Sequence, residues 1–102
     1  ALLTQSGTDA PAAVVLANTL GGTVVWTYYD VGYYTATLNG AFLANKTWFS
    51  IMVVHDDSAS KAVGMMRSSD NAMDVFTFSD PADGVTSNDI LSSSPIEILV
   101  YP

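Results

Sequence analysis

The chain has no cysteine, one histidine and three firm cations in its 102 residues. The first absence removes disulfide staples, thiolate zinc sites and cysteine nucleophiles. A single histidine, His55, removes the designs in which two or more imidazoles hold a metal. The cations Lys46, Lys61 and Arg67 stand against ten carboxylates, for a formal net charge of −7. Phosphate backbones are bound by clustered Lys and Arg, so nucleic acid is not an expected partner. No apolar run reaches the ~18 residues of a membrane-spanning helix, and the start of the chain lacks the basic segment of a signal peptide. A phosphate-binding glycine loop, a dinucleotide fingerprint and the ligand spacing of an EF-hand loop are missing as well. The expectation is a chain with no cofactor, no metal, no membrane partner and no catalytic set.

What is present is apolar. Hydrophobic residues make up 49% of the chain and charged residues 13%, which is the reverse of a disordered composition. A chain of this length can bury roughly two-thirds of its unfolded surface, so residues 1–102 are read as one domain. Nine of the ten acids are Asp, a turn residue rather than a helix former.

The pattern along the chain is that of short strands. Residues 23–29 alternate, with Val24, Trp26 and Tyr28 on one face and Val25, Thr27 and Tyr29 on the other. Residues 33–38 alternate again, and Asp30-Val31-Gly32 between them suits a tight turn with glycine at positive φ. These two runs predict a β-hairpin. Residues 61–67 and 72–79 predict a second one around Ser68-Ser69-Asp70-Asn71. Further strands are expected at 2–6, 12–16, 47–55 and 96–101, while 85–91 is ambiguous. Residues 47–55 are apolar on both faces, which predicts a central or covered strand. Phe42 is expected to plug the core from a loop. About eight short strands at this spacing predict an all-β, antiparallel sandwich of jelly-roll type.

Candidate sites are few. His55-Asp56-Asp57-Ser58 is the one cluster of a base, acids and a hydroxyl; a triad needs such groups oriented across a fold, and the simpler reading is a strand end beside a solvated loop. Asp56 with Asp57, Asp70 with Asn71 and Asp74, Asp80 with Asp83, and Asn88 with Asp89 could offer oxygens to calcium, although turn chemistry accounts for all of them. Tyr29, Tyr33 and Trp48 are the candidate ligand-binding residues. Outward-facing, they would form a cross-strand ladder, a platform for a glycan or a subunit contact. Asn45-Lys46-Thr47 fits a glycosylation sequon, a motif frequent by chance.

Three passages carry a resemblance: Asn18-Thr19-Leu20-Gly21-Gly22-Thr23-Val24-Val25-Trp26-Thr27, Gly32-Tyr33-Tyr34-Thr35-Ala36-Thr37-Leu38, and Gly40-Ala41-Phe42 with Asn45-Lys46-Thr47. Together with the start, Leu3-Thr4-Gln5-Ser6-Gly7-Thr8-Asp9-Ala10-Pro11, and the end, Pro95-Ile96-Glu97-Ile98-Leu99-Val100-Tyr101, they resemble small uncharacterised proteins of bacteriophages, prophages and bacteria of the Bacteroidetes group. Residues 55–94 take no part in the likeness. The resemblance implies a virion-associated β-sandwich, a head-fibre, decoration or tail-associated module located on a virion or outside the cell. It implies a homo-oligomer, a trimer by analogy, with other virion or surface proteins as partners. It transfers no catalytic residue. The expected function is therefore structural and adhesive, through β faces or edges. The alternatives are a carbohydrate-binding module using Tyr29, Tyr33 and Trp48, and a small enzyme using His55 with Asp56 or Asp57.

Overall fold

Alternating side chains in residues 25–37 leave the backbone one way to satisfy itself, by pairing across a short turn. In the computed structural model, which describes residues 1–52, 61–80 and 84–102, β3 (Val25–Asp30) and β4 (Tyr33–Thr37) do so. Trp26 and Tyr28 turn inward, and Val25, Thr27 and Tyr29 face solvent. The turn places Gly32 at φ +62°, a conformation that a side chain disfavours. A bulge at Tyr29, between the pairs Tyr28–Tyr34 and Asp30–Tyr33, lets this residue stand out from the ladder.

The other strands are β1 (Leu2–Thr4), β2 (Ala12–Val14), β5 (Thr47–Ile51), β6 (Ala62–Ser69), β7 (Ala72–Asp80), β8 (Val85–Thr86) and β9 (Ser94–Val100). All pairings are antiparallel. They build two sheets, one ordered β2-β1-β9-β5 and one ordered β3-β4-β7-β6, with β8 also on β7. Because β6 follows β7 from Ala72 to Phe78, β8 takes the same side of β7 as β4, end to end with it. Hairpins stay within a sheet, and the chain crosses between sheets at 15–24, 38–46 and 87–93, and once more between β5 and β6.

The sheets face each other to form the sandwich. Leu3, Leu91 and Ile96 meet Tyr34 and Val75 in one part of the core. Phe42 meets Ala36 and Met73 in the other, entering fully buried from the β4–β5 crossing. Gln5, Tyr34 and Asn88 close one end of the core with polar contacts. The Tyr34 hydroxyl donates to Gln5 Oε1 at 2.7 Å and lies 3.3 Å from Asn88 Oδ1. Asn88 Oδ1 also accepts from Gly32 N, and Asn88 Nδ2 donates to the Tyr28 hydroxyl. Among the described residues no buried side-chain polar atom lacks a partner, as a native core requires.

The structure revises the sequence reading in three places. The described residues hold nine strands, the extra one being β8 within the ambiguous stretch. The run 12–16 leaves the ladder after Val14, because its partner β1 begins at Leu2. Of residues 47–55, expected to form a central or covered strand, 53–55 lie outside the described residues, and β5 is, among the described residues, the outermost strand of its sheet, with Trp48 50% exposed. Its apolar inner face packs on the core, whereas its apolar outer face is open.

Candidate functional site

That open face belongs to a groove of about 600 Å³ along β9. Trp48 and Met52 from β5 and its end, and Leu99 from β9, line its outer wall. Residues 15–20, leaving β2 for the other sheet, form the opposite wall, and Val24, Trp26 and Ile98 its floor. Leu16 is 69% exposed, Met52 64% and Val15 57%. Clustered apolar exposure of this kind marks an interaction surface more often than scattered single residues do. A second hollow of about 410 Å³ shares Thr19, Leu20, Ile98 and Leu99 with the first and extends the groove past Ala41 and Leu43.

The orientation of the β9 backbone beside the groove follows from its pairing. Leu2 pairs with Pro95 and Leu3 with Ser94. Ala1 and Ile96 exchange both backbone bonds, at 3.1 and 2.9 Å. On the other side of β9, Pro95 O accepts from Met52 N and Tyr101 N donates to Lys46 O. Antiparallel strands alternate the direction of their backbone groups. Odd residues of β9 thus address β5, and even residues address the lane of β1. Ile98 and Val100, even residues of β9 like Ile96, turn their backbone groups to the same side as Ile96, which bonds Ala1.

The outer face of the other sheet carries a separate cluster. Tyr29 and Tyr33 have ring centroids 4.6 Å apart at an interplanar angle of 38°, and Tyr33 meets Phe76 edge-on at 4.4 Å. Asp74 beneath them is 7% exposed and accepts from the Tyr33 hydroxyl at 2.9 Å and from the Thr35 hydroxyl at 3.3 Å. The bond to the Asp74 carboxylate raises the Tyr33 pKa above its ordinary 10.0, and burial raises that of Tyr34. A folded pKa above the unfolded one means that the neutral phenol is the stabilised form. This contribution is complete below the unfolded value and is lost as pH climbs through the folded one. The thermal midpoint is therefore expected to hold up to about pH 9 and fall above it, and Tyr33→Phe, which removes one of the two phenols, should make that fall shallower. A melting series in alkaline buffers reads both slopes.

Of the three candidate ligand-binding residues, Tyr29 and Tyr33 come together and Trp48 does not: it stands on the outer face of the opposite sheet. His55, Asp56, Asp57 and Asp83 lie outside the described residues. Asp70 pairs with Arg67, and Asp89 Oδ1 accepts from Gly7 N at 2.6 Å. Among the described residues no three His, Cys, Asp or Glu side chains converge as a metal site would require. Sequence reasoning missed the groove. Its one local signal was the run Ala12-Ala13-Val14-Val15-Leu16, where apolar residues continue without a polar face to give to solvent. The chain matches no protein-family model, no curated protein and no solved structure.

Proposed function

We propose that the protein is a structural and adhesive module that associates with copies of itself through the outer face of its β2-β1-β9-β5 sheet. The supporting observation is the exposed apolar surface of Trp48, Met52 and Leu99 beside the groove. The virion or cell-surface setting rests on the sequence resemblance alone. A glycan-binding reading has less to draw on. Tyr29 and Tyr33 are tilted against each other, and Tyr33 is packed on Phe76, so they present no flat three-ring platform with Trp48.

Light scattering across a concentration series tests the reading. The mass is expected to rise above the 10.8 kDa of one chain, and Trp48→Ser with Met52→Ser is expected to return it toward one chain. A single-chain mass for the wild type at every concentration would contradict the reading.

A further inference from the structure

We propose that Tyr29 and Tyr33 form an oxidative cross-linking site: one-electron oxidation of both rings joins them by a carbon–carbon bond, and Asp74 takes the phenolic proton of Tyr33. The site lies on the outer face of the β3-β4-β7-β6 sheet. That is the opposite side of the sandwich from the assembly surface, and the chemistry does not depend on assembly.

The geometry favours this chemistry. The ring centroids stand 4.6 Å apart at an angle of 38°, so small rotations bring the carbons beside the two hydroxyls into contact. Tyr29, at the bulge between the pairs Tyr28–Tyr34 and Asp30–Tyr33, is 71% exposed. An exposed side chain reorients quickly, and this ring is the one that a dissolved oxidant reaches. Tyr33 is held still, edge-on to Phe76 at 4.4 Å and with its hydroxyl donating to Asp74 Oδ2 at 2.9 Å. That bond raises the Tyr33 pKa, so the phenol keeps its proton at neutral pH and must release it when oxidised. Asp74, 7% exposed, is in contact to accept it without an intervening water. The other tyrosine pair, Tyr28 with Tyr34, is wider at 5.9 Å, and Tyr34 is fully buried with its hydroxyl donating to Gln5 Oε1.

Each phenol gives up one electron and its hydroxyl proton and becomes a phenoxyl radical, whose unpaired electron is shared with the ring carbons beside the oxygen. One such carbon from each ring pairs its electron with the other in a new bond. The hydrogen on each of these carbons then leaves as a proton while each oxygen regains one, which restores both phenols. The pair loses two electrons and two protons in total. The oxidant is hydrogen peroxide acting through a haem peroxidase: it accepts the two electrons and two protons and leaves as two molecules of water. Tyr29 passes its proton to solvent and Tyr33 passes its own to the Asp74 carboxylate. A base already in hydrogen-bond contact with the proton it takes accelerates such a transfer.

The test treats dilute protein with hydrogen peroxide and a haem peroxidase while the fluorescence of coupled phenols is followed. The expected product is fluorescent, has the mass of a single chain under denaturing conditions, and is lighter by the mass of two hydrogen atoms. Trypsin leaves residues 1–46 as one peptide, because Lys46 is the first Lys or Arg of the chain. Its backbone fragments should be missing only between Tyr29 and Tyr33. Tyr29→Phe, at an exposed position where substitutions leave the fold intact, should lose this product, and so should Tyr33→Phe. Asp74→Asn keeps the shape of the side chain but not its basicity, and should form the link at least about tenfold more slowly. Asp74→Glu, which returns a carboxylate, should recover part of that rate, as a merely disturbed sheet would not. A rate unchanged by Asp74→Asn would overturn the role of Asp74. Absence of the fluorescent product, a product found only between chains, or a link mapped to Tyr28 and Tyr34 would overturn the cross-linking site.

Discussion

Gly32→Ala should lower the stability of this protein by about 3–5 kcal/mol, a loss at the top of the range for single substitutions. Two causes add. The residue sits at φ +62°, where a β-carbon costs about 1–2 kcal/mol. That carbon would also stand 2.5 Å from Ser87 N, 2.7 Å from Ser87 O and 2.7 Å from Thr77 O. All three are backbone atoms tied into the sheet: Thr77 N donates to Gly32 O at 2.9 Å, and Ser87 N to Thr77 O at 2.8 Å. Gly32 lies at the seam where β4 and β8 meet end to end beside β7, so relief would require moving a strand. Gly40→Ala separates the two causes. Gly40 has φ +69° with nothing within 4 Å of a built β-carbon, and its substitution should cost only the backbone share. With a total stability of about 5–15 kcal/mol for a domain of this size, the two variants should differ plainly in urea midpoint. Equal losses would show that the contacts around Gly32 are not rigid.

Phe42→Ala is expected to cost about 3–5 kcal/mol by opening a cavity between the sheets. The ring is fully buried against Ala36 and Met73. The loop that carries it is pinned on both sides of the peptide, so it cannot collapse to fill the space. Phe42 N donates to Asp70 O at 2.8 Å, and Phe42 O accepts from Arg67 Nε at 2.5 Å. Arg67 is held in turn by Asp70. The neighbouring Leu43 is 38% exposed, and Leu43→Ala should change stability by less than about 1 kcal/mol. Chemical denaturation of the two variants reads the contrast; a Phe42→Ala loss as small as that of Leu43→Ala would place the ring outside the core.

What could be read from the sequence was local. Alternation in 23–38 located the first hairpin, and the turn chemistry of Asp30-Val31-Gly32 located its positive φ. The second hairpin, around Asp70-Asn71, and the plug at Phe42 followed from the same kind of signal. What could not be read depends on partners distant in sequence. Whether residues 47–51 are central or outermost is decided by pairing with β9, whose register joins Thr47 to Val100. A strand that is apolar on both faces fits a covered strand and an interaction surface equally well. The groove is more remote still, since its lining comes from residues 15–20, β5 and β9, which come together only in the folded chain. Strand phase orients Tyr29, Tyr33 and Trp48 outward, but phase does not say that Trp48 belongs to a different sheet from the two tyrosines.

The central proposal is that copies of the chain meet through the outer face of the β2-β1-β9-β5 sheet, where Trp48 and Met52 are exposed. The solution mass across a concentration series, for the wild type and for Trp48→Ser with Met52→Ser, tests it most directly. The account predicts a wild-type mass that rises above the 10.8 kDa of one chain and a doubly substituted protein that returns toward it. A wild-type mass of one chain at every concentration would contradict the account.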